Sequence, residues 1–191
     1  MKPVYAAAAV HVPAPPEQVF ALITDWPRHR EWMFLTTARQ VGPDGVEAYT
    51  GVGPLGFLDT MKITRWEPPA LVCVTHTGRV VRGRGAIRVS PQHGGSRVVW
   101  AEELFLPFGP LGRAAWTLAR PAGLALLRHS LRRLAALART PDRPGGRTPG
   151  GWAGQPGACR LRLSQGLVLL RADLVHLLDQ VVGGAGPWPP P

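Results

Sequence analysis

The sequence predicts an α+β fold in which a seven-stranded antiparallel sheet carries two short helices near its start and one long helix at its C-terminal end. Three observations predict it. Between Thr36 and Pro107 the apolar residues recur with period two, and turn residues cut that stretch at Gly42-Pro-Asp-Gly45, Glu67-Pro-Pro69, Gly78 and Pro91-Gln-His-Gly-Gly95. After Phe108-Gly-Pro110 the spacing becomes helical and the composition turns to Ala, Leu and Arg. Hydrophobic residues make up 45% of the chain against 18% charged, enough apolar material for one packed core in 191 residues.

Taken in order, Val4 to Val12 reads as a first strand, rich in small and β-branched residues and stopped by Pro13. Ala14-Pro-Pro-Glu17 places prolines where a first helical turn tolerates them, and Val19, Phe20, Leu22 and Ile23 supply the apolar stripe of a short helix ending at Asp25. Trp26-Pro27 restarts a second short helix whose buried side is expected to be Trp32, Met33 and Leu35. Strands are then expected at about 37–41, 46–52, 56–66, 71–77, 80–90 and 96–106. The long helix runs to about Thr140, with Leu111, Ala115, Leu118, Ala122, Leu126, Leu127, Leu131, Leu134 and Leu137 as its buried positions, a kink at Pro121, and Arg113, Arg120, Arg128, Arg132, Arg133 and Arg139 making up most of a solvated opposite face.

Residues 1–140 therefore form the domain. Residues 141–163 are rich in Pro and Gly and read as a linker, residues 164–182 as an amphipathic helix with Leu167, Leu170, Leu174, Leu177, Leu178 and Val181 on one side, and residues 183–191 as a disordered terminus. The formal charge of +10 raises the question of a polyanionic partner, but residues 1–140 carry +8 of it and the remainder +2, and nearly all the basic residues are arginines, with lysine only at Lys2 and Lys62, so no nucleic-acid partner is expected. A membrane-surface role for the Arg-rich helix is the lesser alternative to a solvated face. Cys73 and Cys159 form neither a disulfide framework nor a metal-ligand spacing, and no His/Cys/Asp/Glu cluster has zinc-site spacing. No apolar run reaches the roughly 18 residues of a membrane span. The chain reads as a soluble cytoplasmic protein without metal or cofactor.

Particular residues carry a family resemblance as well. Val12-Pro-Ala-Pro-Pro-Glu-Gln-Val-Phe-Ala-Leu-Ile-Thr-Asp-Trp-Pro27, with Trp32 shortly after, resembles the N-terminal signature of the START/polyketide cyclase-dehydrase superfamily, the SRPBCC or helix-grip proteins; Ile63-Thr-Arg-Trp-Glu-Pro-Pro69 and Val99-Trp-Ala-Glu-Glu-Leu104 resemble its later strands. The resemblance covers residues 1 to about 140. It implies a helix-grip fold in which the curved sheet wraps the long helix around a cavity, and a function among lipid carriers, receptors and aromatase/cyclases. Physically, a long sheet with one apolar face must be covered, and one helix is too narrow to fill a strongly curved sheet.

Alternation suggests which side chains face inward. Phe57, Asp59, Met61 and Ile63 share one face of their strand, with Lys62 and Thr64 on the other; Val98, Trp100, Glu102 and Leu104 share a face opposite Arg97 and Glu103. In the strand between, Val72, Val74 and His76 form one set and Cys73 and Thr75 the other, and pattern alone leaves both open. The candidate ligand-binding residues are Phe57, Asp59, Met61, Ile63, Val74, His76, Val98, Trp100, Glu102 and, from the long helix, Trp116. Asp59, Glu102 and His76 are the candidate acid-base groups, since burial would shift their protonation equilibria. Against that, Asp59 or Glu102 would be ordinary ion-pair partners if Arg65, Arg82 or Arg84 lay beside them. Gly51-Val-Gly53 and Gly83-Arg-Gly85 precede no helix, so they are not phosphate loops but strand glycines marking a bulge or sharp curvature.

The expected function is carriage or sensing of a small hydrophobic molecule such as a polyketide, lipid or aromatic metabolite. A polyketide cyclase, aromatase or dehydrase using the inward carboxylates and histidine is the alternative, and a membrane-associated accessory protein the second.

Overall fold

The computed structural model describes residues 3–106 and 108–139. The expected linker at 141–163, helix at 164–182 and terminus at 183–191 lie outside the described residues. Within them the chain runs β1 (Val4–Val12), α1 (Pro16–Thr24), a 3-10 turn (Trp26–Arg28), α2 (His29–Trp32), β2 (Thr36–Val41), β3 (Gly45–Val52), β4 (Leu55–Glu67), β5 (Leu71–Thr77), β6 (Arg82–Gln92), β7 (Gly95–Phe105) and α3 (Gly109–Leu137). All seven strands form one antiparallel curved sheet in the order β1-β7-β6-β5-β4-β3-β2. Every neighbour but β1 with β7 is a hairpin, and that one long-range pairing places the N-terminal strand beside the last.

The helices cover one face. Pro16 opens α1, whose Val19, Phe20, Leu22 and Ile23 are buried. These join Val72, Val89 and Val98 of the sheet and Leu131, Leu134 and Ala135 of α3 in the main core. Trp32 is wholly buried there and meets Trp100 edge to face at 6.0 Å. Two hydrogen bonds fasten the layers at this end: Ser96 Oγ donates to the Ala14 carbonyl at 2.7 Å, and Gln18 Nε2 to the Ala138 carbonyl at 3.2 Å. Ala6 and Ala8 of β1 are buried, and their small side chains let α3 lie close along that strand.

The structure corrects the sequence reading at two places, Leu35 and the apolar positions of α3. Leu35 does not join Trp32 on the buried side: it sits at φ 49° in the α2–β2 turn and is 48% exposed. In β4 a register shift between Ile63 and Arg65 brings Trp66 to the same inner face as Ile63, where it packs edge to face on Phe20 at 5.4 Å. The apolar positions of α3 do not make one buried stripe. Leu131 and Leu134 are buried, whereas Leu111, Leu118 and Leu126 are 73%, 85% and 43% exposed. The helix continues through Pro121 without ending.

Candidate ligand-binding site

Cross-strand partners identify the inner face row by row. Trp66, Val72, Ile87, Trp100 and Ala8 lie opposite one another across five strands, and all belong to or pack on the core beneath the helices. Two residues along, the next row is Ile63, Val74, Gly85, Glu102 and Ala6; the row after that is Val46, Met61, His76, Gly83, Leu104 and Val4. The inner set of β5 is therefore Val72, Val74 and His76, while Cys73 packs with Leu71, Ala86 and Ala101 on the outer face. Burial there raises the Cys73 thiol to about 11, against the opposing pull of Arg65 and Arg88, which leaves it an inert core group.

Packing changes along this inner face. Val72, Val89 and Val98 at the α1 end are at most 3% exposed. Elsewhere on the same face Phe57, Met61, Ile63, Val74, Trp100 and Leu104 are only half-buried. Val98 thus sits in the closed core, and Trp116, half-buried, has the backbone of Gly123 beside its ring.

Within the half-buried region stands a polar cluster. His76 Nδ1 lies 2.7 Å from Asp59 Oδ2 and its Nε2 lies 2.9 Å from Glu102 Oε2. Trp100 Nε1 donates to Glu102 Oε1 at 2.6 Å. His76 and Asp59 are buried, and Glu102 is slightly more open. Burial alone would lower the imidazole, but the charge of Glu102, the hydrogen bonds to Asp59 and Glu102, and the charge of Asp59 together raise it to about 10. His76 is therefore an imidazolium at neutral pH, donating from both nitrogens. Asp59 Oδ1, turned towards Gly78, is buried and has no hydrogen-bond partner among the described residues.

The glycines of β6 make this reach possible. His76 is on β5 and Glu102 on β7, so the imidazole must cross β6, where the inner-face positions are Gly83 and Gly85. A Cβ on Gly85 would stand 2.8 Å from both carboxylate oxygens of Glu102. Gly83 has φ 145°, in a region side chains rarely adopt, and a Cβ there would strike the Glu103 carbonyl. Sequence reasoning assigned these glycines to curvature; two glycines at i and i+2 of one strand also clear one face of side chains, and that is the signal that could have shown it.

The arginines are elsewhere. Arg84 pairs with Glu103 at 2.6 Å and Arg65 with Glu67 at 2.7 Å. Arg82 also occupies an outer-face position on β6, and its Nε donates to the Gly78 carbonyl at 3.4 Å. The imidazolium, not a guanidinium, thus answers both inner carboxylates. Because it lies between them with both nitrogens engaged, the three groups do not converge on a point, and no set of three metal-ligating side chains forms among the described residues.

A family model described as polyketide cyclase / dehydrase and lipid transport matches residues 4–139. The chain belongs to that family. No curated protein matches it. Among solved structures, this polyketide cyclase/dehydrase-family chain is similar to TTHA0849 from Thermus thermophilus, at 17% identity and TM-score 0.60 over 71% of this chain and 97% of that one. It is also similar to CV1439 from Chromobacterium violaceum, at 17% identity and TM-score 0.55 over 72% and 98%. The di-domain ARO/CYC StfQ from the steffimycin biosynthetic pathway aligns at 11% identity and TM-score 0.58 over 72% of this chain and 51% of that one. At these identities the likeness is one of fold.

Proposed function

We propose that the protein binds a small, largely apolar molecule on the inner face of the sheet, with Glu102 accepting a hydrogen bond from a hydroxyl or similar donor at the molecule's polar end. The observation that carries this reading is the contrast along one face. Val72, Val89 and Val98 beneath the helices are buried, whereas Phe57, Met61, Val74 and Leu104 on the same face keep apolar surface that a guest would remove from water. Each 100 Å² so removed is worth roughly 2.5 kcal/mol. The family's description, which spans cyclisation, dehydration and lipid transport, agrees with an apolar guest in either role.

Carriage or sensing is better supported than catalysis. A general acid-base group works best with a pKa near the working pH. His76 at about 10 is far from it, and both of its nitrogens are occupied by carboxylates. Its role in this reading is to hold Glu102 and Asp59 in place as acceptors. A cyclase or dehydrase reading is favoured by one feature, the contact of three titratable groups in one buried chain, and would assign proton transfer to Glu102.

Native mass spectrometry of the full chain purified from its own host, with Glu102→Gln and Asp59→Asn beside it, tests both readings. Binding predicts a co-purifying mass on the wild type, reduced by about tenfold in occupancy when Glu102 loses its charge. Release of a chemically altered molecule by the wild type but not by Glu102→Gln would transfer the assignment to catalysis. A protein that takes up no apolar molecule from its host or from a lipid and aromatic panel would remove both.

A further inference from the structure

The outward face of α3 is divided along its length. Leu111, Ala114, Ala115, Leu118, Ala122 and Ala125 recur at three- and four-residue spacing, which puts them on one side of the helix, and all six are exposed. Continuing along that side, the C-terminal half presents His129, Arg132 and Arg133, with Arg128 and Arg139 flanking them, all exposed. The buried face, by contrast, is Leu131, Leu134 and Ala135. One helix face is thus apolar for its first half and cationic for its second.

Charge is concentrated in the same place. Residues 1–108 hold 11 basic and 9 acidic side chains, a balance of +2, whereas residues 109–139 hold the six arginines 113, 120, 128, 132, 133 and 139 and no carboxylate, a balance of +6. Further exposed apolar groups adjoin this face. Phe34 meets His129 at a ring separation of 6.0 Å, and its backbone N–H donates to Ser130 Oγ at 3.1 Å. Leu35 follows, and its carbonyl accepts from Gly51 at the end of the β3–β4 hairpin, whose tip exposes Val52 and Leu55 at 62% and 83%.

We infer that this face docks on the surface of an anionic lipid bilayer. Leu111, Leu118 and the loop side chains enter the boundary between headgroups and acyl chains, and the arginines of the C-terminal half meet the lipid phosphates. A second copy of the chain is the poorer occupant, because stacking this face on itself opposes arginine clusters that have no carboxylates within the helix to answer them. No helix among the described residues is long and apolar enough to cross a membrane, so the contact is with the surface. This inference stands apart from ligand binding, and its failure would leave the inner-face reading untouched.

The test is co-sedimentation of the full 191-residue chain with vesicles of phosphatidylcholine alone and of phosphatidylcholine with phosphatidylglycerol, at low and high salt. Binding to the anionic vesicles is expected, weaker on the neutral ones, and falling as salt rises. The double variant Leu111→Asp/Leu118→Asp should lose at least about tenfold in partitioning. Arg132→Gln/Arg133→Gln should lose roughly thirtyfold, about fivefold for each arginine. All four positions are exposed, so the far-UV circular dichroism and thermal transition of each variant should match the wild type. Absence of binding to anionic vesicles overturns the proposal. So does undiminished binding by the folded leucine variant, which would put the contact elsewhere. A wild-type dimer that the leucine variant dissociates, without vesicle binding, would assign the face to a second copy instead.

Discussion

His76 and His29 place two opposite slopes on the pH dependence of stability. His76 rises from 6.5 to about 10 on folding, so the folded chain holds a proton that the unfolded chain releases between those values; the stabilisation is fully present below pH 6.5 and is lost as pH rises towards 10. His29, buried between Trp26 and Trp32 with Nε2 2.7 Å from the Ile23 carbonyl, falls to about 4, chiefly through desolvation. There the unfolded chain takes up a proton that the folded chain refuses, so stability is lost as pH falls from 6.5 towards 4. Urea midpoints across pH 4 to 10 should therefore peak near 6.5, and in His76→Leu the alkaline slope should vanish while the acid slope persists. The same variant leaves Asp59 and Glu102 without their shared cation and should cost about 3–5 kcal/mol at neutral pH. Gly85→Ala is the complementary change. Its Cβ would displace a carboxylate pinned by both His76 and Trp100, so ligand occupancy should drop about as far as in Glu102→Gln, together with the alkaline slope.

At the scale of the element, α3 behaves as two helices of different duty. Leu131 and Leu134 are at most 1% exposed within the core, and Leu134→Ala should destabilise by about 2–5 kcal/mol. Leu118→Ala, at a position 85% exposed, should stay within about 0.5 kcal/mol of wild type in the same denaturant titration. Equal losses at the two positions would mean that the N-terminal half is packed in solution, which would remove the bilayer contact. The strand β6 is the other element with a double role, since its paired glycines sustain the ladder while clearing the path between β5 and β7.

For the whole molecule, β1 extends the open sheet beside β7, and this edge takes much of the helical packing. The helices fasten to that edge and to the α1 end, leaving the inner surface of β4 and β5 less covered. A bound apolar molecule should complete the packing there. Addition of the co-purified molecule, or of a binding member of the panel, should raise the unfolding temperature in proportion to the logarithm of its concentration above Kd. The wild type should show that rise and Glu102→Gln should show less of it.

Strand number, order of elements and the N-terminal helix were legible in the sequence, because period-two alternation and turn residues are local signals of a half-buried sheet. Legible too was the grouping of Asp59 with Met61 and of Glu102 with Trp100, since residues two apart on a strand share a face. Which set of β5 points inward was not, because Val72-Cys-Val-Thr-His76 is almost equally apolar on both sides and only its neighbours choose. The same holds for α3: its leucines follow helical spacing throughout, but which of them are buried depends on how far the sheet extends beneath the helix. The meeting of His76 with both carboxylates was decided by tertiary structure alone. It joins three strands across two side-chain-free positions, and contact between residues so far apart in sequence is a property of the folded sheet's register.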